Sequence, residues 1–173
     1  MAETTIQWTV TVVEDGHILP GFTFNPWIGC SKVHAGCTHC YAEADMDKRR
    51  GRANWGPHGT RSVTSEAYWK GPLKWNRQAE KDGVRRKVFC ASLADVFEDW
   101  GGQCTMPDGR PAILQRSTGQ FIGCNLRGGS DAVRLDDVRR RVFAMIDATP
   151  HLDWLLLTKR PENVRRMWPL LHK

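Results

Sequence analysis

A chain of 173 residues with 40% hydrophobic and 25% charged content has the balance of one ordinary folded domain. Eight tryptophans argue against extensive disorder, and no apolar run reaches the roughly 18 residues of a membrane-spanning helix. Residues 1–5 lack the basic and apolar regions of a secretory signal, so the cytoplasm is the expected compartment and no membrane partner is expected.

The net charge is +6, and it is unevenly placed. Residues 1–40 carry one base and three acids, whereas residues 48–87 carry twelve bases and three acids, a net of +9. Trp55, Tyr68, Trp69 and Trp75 are interleaved with those bases. Charge for phosphates and rings for stacking suit a nucleic acid. The candidate contacts are Arg49, Arg50, Arg52, Lys70, Lys74, Arg77, Arg85 and Arg86. The alternative is a solvated basic surface whose tryptophans turn inward to the core.

Residues 6–13 are rich in β-formers and read as a strand, with a turn at 14–16 and a returning hairpin partner over 17–24. A helix is predicted over 41–50, because its acids lie early, its bases lie late and Gly51 suits the position after its end. Residues 51–64 read as a loop. Thr64 or Ser65 caps a short helix at Glu66–Trp69, and a second helix covers 73–81. Residues 87–92 read as a buried parallel strand. The stretch 99–130, with seven glycines and two prolines, reads as a long loop or a small inserted hairpin. A helix is predicted from Asp131, with Leu135, Val138, Val142 and Met145 or Ile146 as its apolar stripe and Arg139, Arg140 and Arg141 largely off it. Residues 153–158 read as another buried strand, and Pro161 opens a last helix running to about Trp168. The alternation predicts a single α/β domain over 1–173, a parallel sheet with flanking helices, a basic helical segment at 48–87 and an insertion at 99–130.

Six cysteines are present, at positions 30, 37, 40, 90, 104 and 124. An even count suits disulfides in a secreted chain, but nothing here argues secretion. Cys30, Cys37 and Cys40 fall within eleven residues as C-x6-C-x2-C. Three thiolates on one short loop can hold a 4Fe–4S cluster and leave one iron open. Zinc is the alternative and needs a fourth ligand, for which His17, His34, His39 or His58 is at hand. A third reading is that two of these cysteines are simply core residues.

The loop follows a strand, and in α/β folds chemistry gathers at the carboxyl ends of strands. The second such end carries Ser92 and Asp95, and the third carries Thr158, Lys159 and Arg160. Lys159 and Arg160 suit a carboxylate or phosphate, and Asp95 suits a ribose, an amine or a water. These three are the catalytic candidates. His39, Tyr41, Ser92 and Thr158 are the candidates for cofactor contacts. The plainer alternatives are a cap for Asp95 and a solvated turn for the Lys-Arg pair.

The blocks 1–9, 24–33, 36–43, 95–97 and 149–163, in this order, resemble the phage-encoded three-cysteine-motif proteins, a family related to radical S-adenosylmethionine enzymes. The resemblance implies a partial triosephosphate-isomerase-type barrel with the cysteine loop after its first strand. It implies a cluster on Cys30, Cys37 and Cys40, with S-adenosylmethionine on the open iron and its reductive cleavage to a 5′-deoxyadenosyl radical. It places His39 where an aromatic ring usually lies beside the adenine, and it sets the chain in the cytoplasm of a host cell. The sequence departs from typical radical enzymes in its C-x6-C-x2-C spacing and in lacking a Gly-Gly-Glu segment after the second strand. With about three strand–helix units, an open half-barrel is expected, completed by self-association or by a partner chain. The competing class is a non-catalytic, metal-stabilised phage module that binds nucleic acid or a host protein.

Overall fold

The computed structural model describes residues 3–4, 6–14 and 16–169. The chain opens with β1 (Glu3–Thr4), a 3-10 turn at Gln7–Thr9 and a hairpin of β2 (Thr11–Val12) with β3 (Ile18–Leu19). β4 (Gly21–Phe24) and β5 (Trp27–Ile28) lead into the cysteine loop. A helix then starts as α1 (Tyr41–Glu43) and continues as a π-helical stretch at Ala44–Arg49. β6 (Ser62–Val63) pairs with β5, and α2 (Glu66–Trp69) and α3 (Gly71–Asp82) precede β7 (Arg86–Cys90). β8 (Ala112–Gln115) and β9 (Gln120–Gly123) form a hairpin inside the 99–130 stretch. α4 (Leu135–Asp147), β10 (Leu152–Leu156) and α5 (Pro161–Met167) complete the described elements.

The main sheet has four strands in the order β1-β4-β7-β10. β4, β7 and β10 are parallel, and β1 runs antiparallel on the outer edge. The fold is therefore α/β with an open, mixed sheet. The register pairs Phe22 with Val88 and Phe24 with Cys90, so these side chains share one face. That face is dry because helix aromatics cover it. Trp75 of α3 stacks on Phe22 at 4.5 Å, while Tyr68 and Trp69 of α2 lie 5.3 and 5.1 Å from Phe24. Val138 and Val142 of α4 are fully buried in the same core, as their spacing predicts.

Three local readings need correction. Residues 6–13 do not form one strand. The Thr9 hydroxyl donates to the Ile6 carbonyl at 2.7 Å, a local bond that favours the 3-10 turn, and the turn sets Trp8 edge-on against Phe89 at 4.6 Å. The helix predicted from Asp131 begins instead at Leu135. Residues 131–133 spend their backbone on β8, with Leu114 N–H to Asp131 O and Val133 N–H to Ala112 O, and the Asp137 carboxylate caps Arg134 N–H at 2.8 Å. Arg139, read as off the apolar stripe, is only 4% exposed.

The 99–130 stretch is pinned by Arg141, which lies 4.3 Å from the Trp69 ring and 5.1 Å from the Phe121 ring. The same guanidinium makes two 2.5 Å bonds to the Glu66 carboxylate. β10 is the other edge of the sheet, and Leu157 just beyond it is 52% exposed.

Candidate functional site

The three parallel strands end side by side, and each end runs into a segment with a specific constraint. After β4, the Asn25 carboxamide oxygen accepts Leu93 N–H at 2.8 Å and its amide nitrogen donates to Ser92 Oγ at 3.1 Å. Gly29, with φ of +119°, passes under Thr60 so closely that a Cβ would sit 2.1 Å from its carbonyl oxygen. Only glycine fits there, at the root of the cysteine loop. After β7, Ala91 is the one non-glycine residue with positive φ (+68°) among the described residues, and its N–H donates to Phe24 O at 3.0 Å. Strain of this kind collects at functional sites.

Beneath these segments lies a buried network of four charges. Glu98 is 1% exposed and accepts from Arg61 Nε at 2.6 Å and Arg61 Nη2 at 2.8 Å. It also accepts from the backbone N–H and the hydroxyl of Ser31, at 2.9 and 2.6 Å. Arg160 joins it from the end of β10, with Nη2 3.2 Å from Glu98 and Nη1 2.9 Å from Asp95. Asp95 also accepts from Thr158 Oγ1 (2.8 Å), Lys159 N–H (2.9 Å) and Phe97 N–H (3.0 Å). Arg139 braces the segment from below by donating to Val96 O at 2.7 Å and Glu98 O at 2.6 Å. Two formal positive and two formal negative charges thus balance, and their hydrogen bonding is satisfied, the condition under which buried ions are tolerated.

Above the network opens a cleft of about 270 Å³. Cys30, Cys37 and Cys40 all line it. His39 and Tyr41 line it from the loop and the start of α1, and Ser92 from the second strand end. Asp95, Lys159 and Arg160 form its floor and far lip. Thr158 does not line the cleft; its hydroxyl donates to Asp95 and accepts Arg160 N–H at 2.9 Å. The Tyr41 hydroxyl donates to Ser92 O at 2.8 Å and so ties the two strand ends across the cleft. A larger groove of about 610 Å³ between α4 and α5 is lined by none of these residues.

The three thiols differ. Cys30 lies low in the site, where burial first and the Glu98 carboxylate second push its thiol up to about 11, against the opposing pull of Arg160. Cys37 sits on the exposed part of the loop, and hydrogen bonds to the backbone at Val33 and then His34 bring its thiol below the ordinary value. Cys40 stands at the N-terminal end of α1. No three Cys, His, Asp or Glu side chains among the described residues converge as they would around one bound metal ion. His34, a candidate zinc ligand, uses Nδ1 to accept Gly36 N–H at 2.9 Å.

The basic segment is not the interleaved surface that its composition suggested. Trp69 is 1% exposed, Trp75 packs on Phe22, and Trp55 lines the cysteine cleft. Arg86 is buried, donates to Pro20 O and lies 4.9 Å from the Phe22 ring, so it holds the core together and is not a nucleic-acid contact. Arg49 and Arg50 both pair with Asp45, and Arg85 pairs with Asp153 at 2.6 Å. Arg52, Lys70, Lys74 and Arg77 remain exposed, with Lys70 close enough to Glu66 for its charge to help lower that carboxyl.

Sequence reasoning missed Asn25, Arg61 and Glu98. Arg61 lies in a Gly- and Pro-containing loop without periodicity, and Glu98 sits three residues beyond Asp95 in the same strand-end segment. A buried acid and a buried base that are far apart in sequence leave no local signal.

Fold and cleft together define an α/β protein with a cysteine-lined site at the carboxyl ends of its parallel strands. A sequence model of a family described as being of unknown function, DUF5131, matches residues 3–103, and the chain belongs to that family. The match includes the cysteine loop, Arg61, Asp95 and Glu98, but not β10 or Arg160. No curated protein and no solved structure matched. No helix among the described residues is long and apolar enough to cross a membrane.

Proposed function

We propose that the chain is an iron–sulfur protein of the radical S-adenosylmethionine-like kind. Cys30, Cys37 and Cys40 would ligate a 4Fe–4S cluster, and the cleft would take S-adenosylmethionine. The observation that carries this reading is the meeting of three thiols in one cleft over the ends of three parallel strands. The donors suit a cluster in kind. Three loop cysteines match the ligand count of a cluster with one open iron, whereas a structural zinc site takes four ligands. When bound, the cluster supplies one-electron reduction at an iron that no protein group occupies.

The chain's own residues divide the remaining work. Ser31 fastens the loop root to Glu98, and Arg160 fastens it to Asp95. With their hydrogen bonding spent inside the chain, Asp95 and Arg160 act as positioning groups, not as reacting ones. Lys159, exposed at the lip, is the cation available to a carboxylate. The His39 and Tyr41 rings flank the cleft for a flat ligand.

The consecutive parallel order β4-β7-β10 is read as part of a triosephosphate-isomerase-type barrel. The open edge at β10 is the place where a second copy or another chain adds a strand, as unpaired edges invite. A nucleic-acid face, if used, reduces to Arg52, Lys70, Lys74 and Arg77. The alternative, a non-catalytic module, is favoured by the internal saturation of Asp95 and Arg160.

The test is electron paramagnetic resonance of the anaerobically purified, reduced chain with and without S-adenosylmethionine. A cluster signal that changes on adding the ligand supports the reading. A cluster signal indifferent to it favours the module, and zinc in place of iron overturns the reading.

A further inference from the structure

Arg160 stands apart from the other arginines because one of its nitrogens approaches a loop sulfur. Its side chain is 5% exposed and is fixed on four sides. Nη1 donates to Asp95 at 2.9 Å and lies 3.5 Å from Cys30 Sγ, at hydrogen-bond distance for sulfur. Nη2 donates to the Ser31 carbonyl at 2.7 Å and to Glu98 at 3.2 Å. The guanidinium therefore cannot swing away from the sulfur without breaking bonds to two buried carboxylates. Arg61 gives the comparison. It is equally buried and binds the same Glu98, but its own bonds go to Glu98, Thr60 O and Gly56 O and none to sulfur.

A positive donor on a ligand sulfur favours the more negatively charged state of whatever the sulfur binds, and hydrogen bonds to sulfur are among the levers that set iron–sulfur potentials. We infer that Arg160 is a positioning residue that raises the reduction potential of a cluster held on Cys30, Cys37 and Cys40, with Asp95 and Glu98 acting as the clamp that keeps its guanidinium on the Cys30 sulfur. This inference rests on the iron–sulfur reading above. The couple is simple: an external reductant gives one electron to the cluster, and no bond is made or broken.

The experiment is an anaerobic redox titration with dithionite, followed by the cluster's optical absorbance, on the wild-type chain, Arg160→Gln, Arg160→Lys and Arg61→Lys. Arg160→Gln is expected to lower the midpoint so that the oxidised-to-reduced ratio at a fixed potential rises about tenfold, or about 59 mV for a one-electron couple. Arg160→Lys, which keeps the charge and loses the fork, is expected to fall between it and the wild type. Arg61→Lys disturbs the same network but is expected to leave the midpoint in place. A wild-type chain that takes up no iron defeats the iron–sulfur reading itself. A loaded wild type whose midpoint matches that of Arg160→Gln, or an Arg61→Lys shift equal to that of Arg160→Gln, overturns the role of Arg160. If Arg160→Gln does not fold, Arg160→Lys against Arg61→Lys decides the same question.

Discussion

The cysteine loop and the layer beneath it are built to opposite rules. Residues 32–36, 38 and 39 are exposed, and the loop's bonds are mostly local, such as Thr38 Oγ1 to Ala35 O at 2.7 Å. Below it, Arg61, Glu98, Asp95 and Arg160 are all buried and are bonded across up to 130 residues of sequence. If the loop takes up the proposed cluster, it needs freedom to close, and the base that sets where it closes needs rigidity. The division places Cys30 on the rigid side and Cys37 on the adaptable side.

The contrast breaks most visibly at the base. Glu98→Gln leaves Arg61 and Arg160 short of a buried counter-charge, and a loss of about 3–5 kcal/mol is expected, read as a lowered denaturation midpoint in urea. Gly29→Ala puts a methyl against Thr60 O at a positive φ, with an expected cost of about 1–3 kcal/mol. On the loop itself, His39→Ala is expected to change stability by less than about 0.5 kcal/mol. A loss as large as that of Glu98→Gln would erase the distinction.

Thiol chemistry sharpens the same comparison without changing stability at neutral pH. In the metal-free chain, iodoacetamide at mildly alkaline pH should label Cys37, whose thiol is lowered, ahead of Cys30, which is held up to about 11. Cys104, pushed up to about 12 by burial, should be slower still. Peptide mass spectrometry after timed quenching gives the order. The linked pH effect has a definite sign. Cys30 keeps its proton in the folded chain while the unfolded chain ionises near 9.0, so its contribution is complete below pH 9 and is lost as pH rises towards about 11.

The sequence made the strand ends legible because apolar runs such as 87–92 and 153–158 are bounded by polar residues that have no other place to go. The strands are observed at Arg86–Cys90 and Leu152–Leu156. The gathering of Cys30, Asp95 and Arg160 followed from those ends alone. The state of those residues was not legible. Whether Arg160 faces a ligand or a neighbour depends on Glu98 and Asp95, which lie 62 and 65 residues away, and no periodicity records that. The basic block misled for a related reason. Composition counts Arg86 and Trp69 with the surface, whereas the helix–sheet contact buries both.

The central claim is that the three loop cysteines hold an iron–sulfur cluster. Its most direct test is iron, sulfide and zinc quantification of anaerobically purified chain, wild type beside Cys37→Ser and Cys104→Ser. About four irons and as many sulfides are expected in the wild type and in Cys104→Ser, as for a cubane, with loss of both in Cys37→Ser. One zinc per chain with no sulfide, or iron that survives in Cys37→Ser undiminished, would contradict the claim.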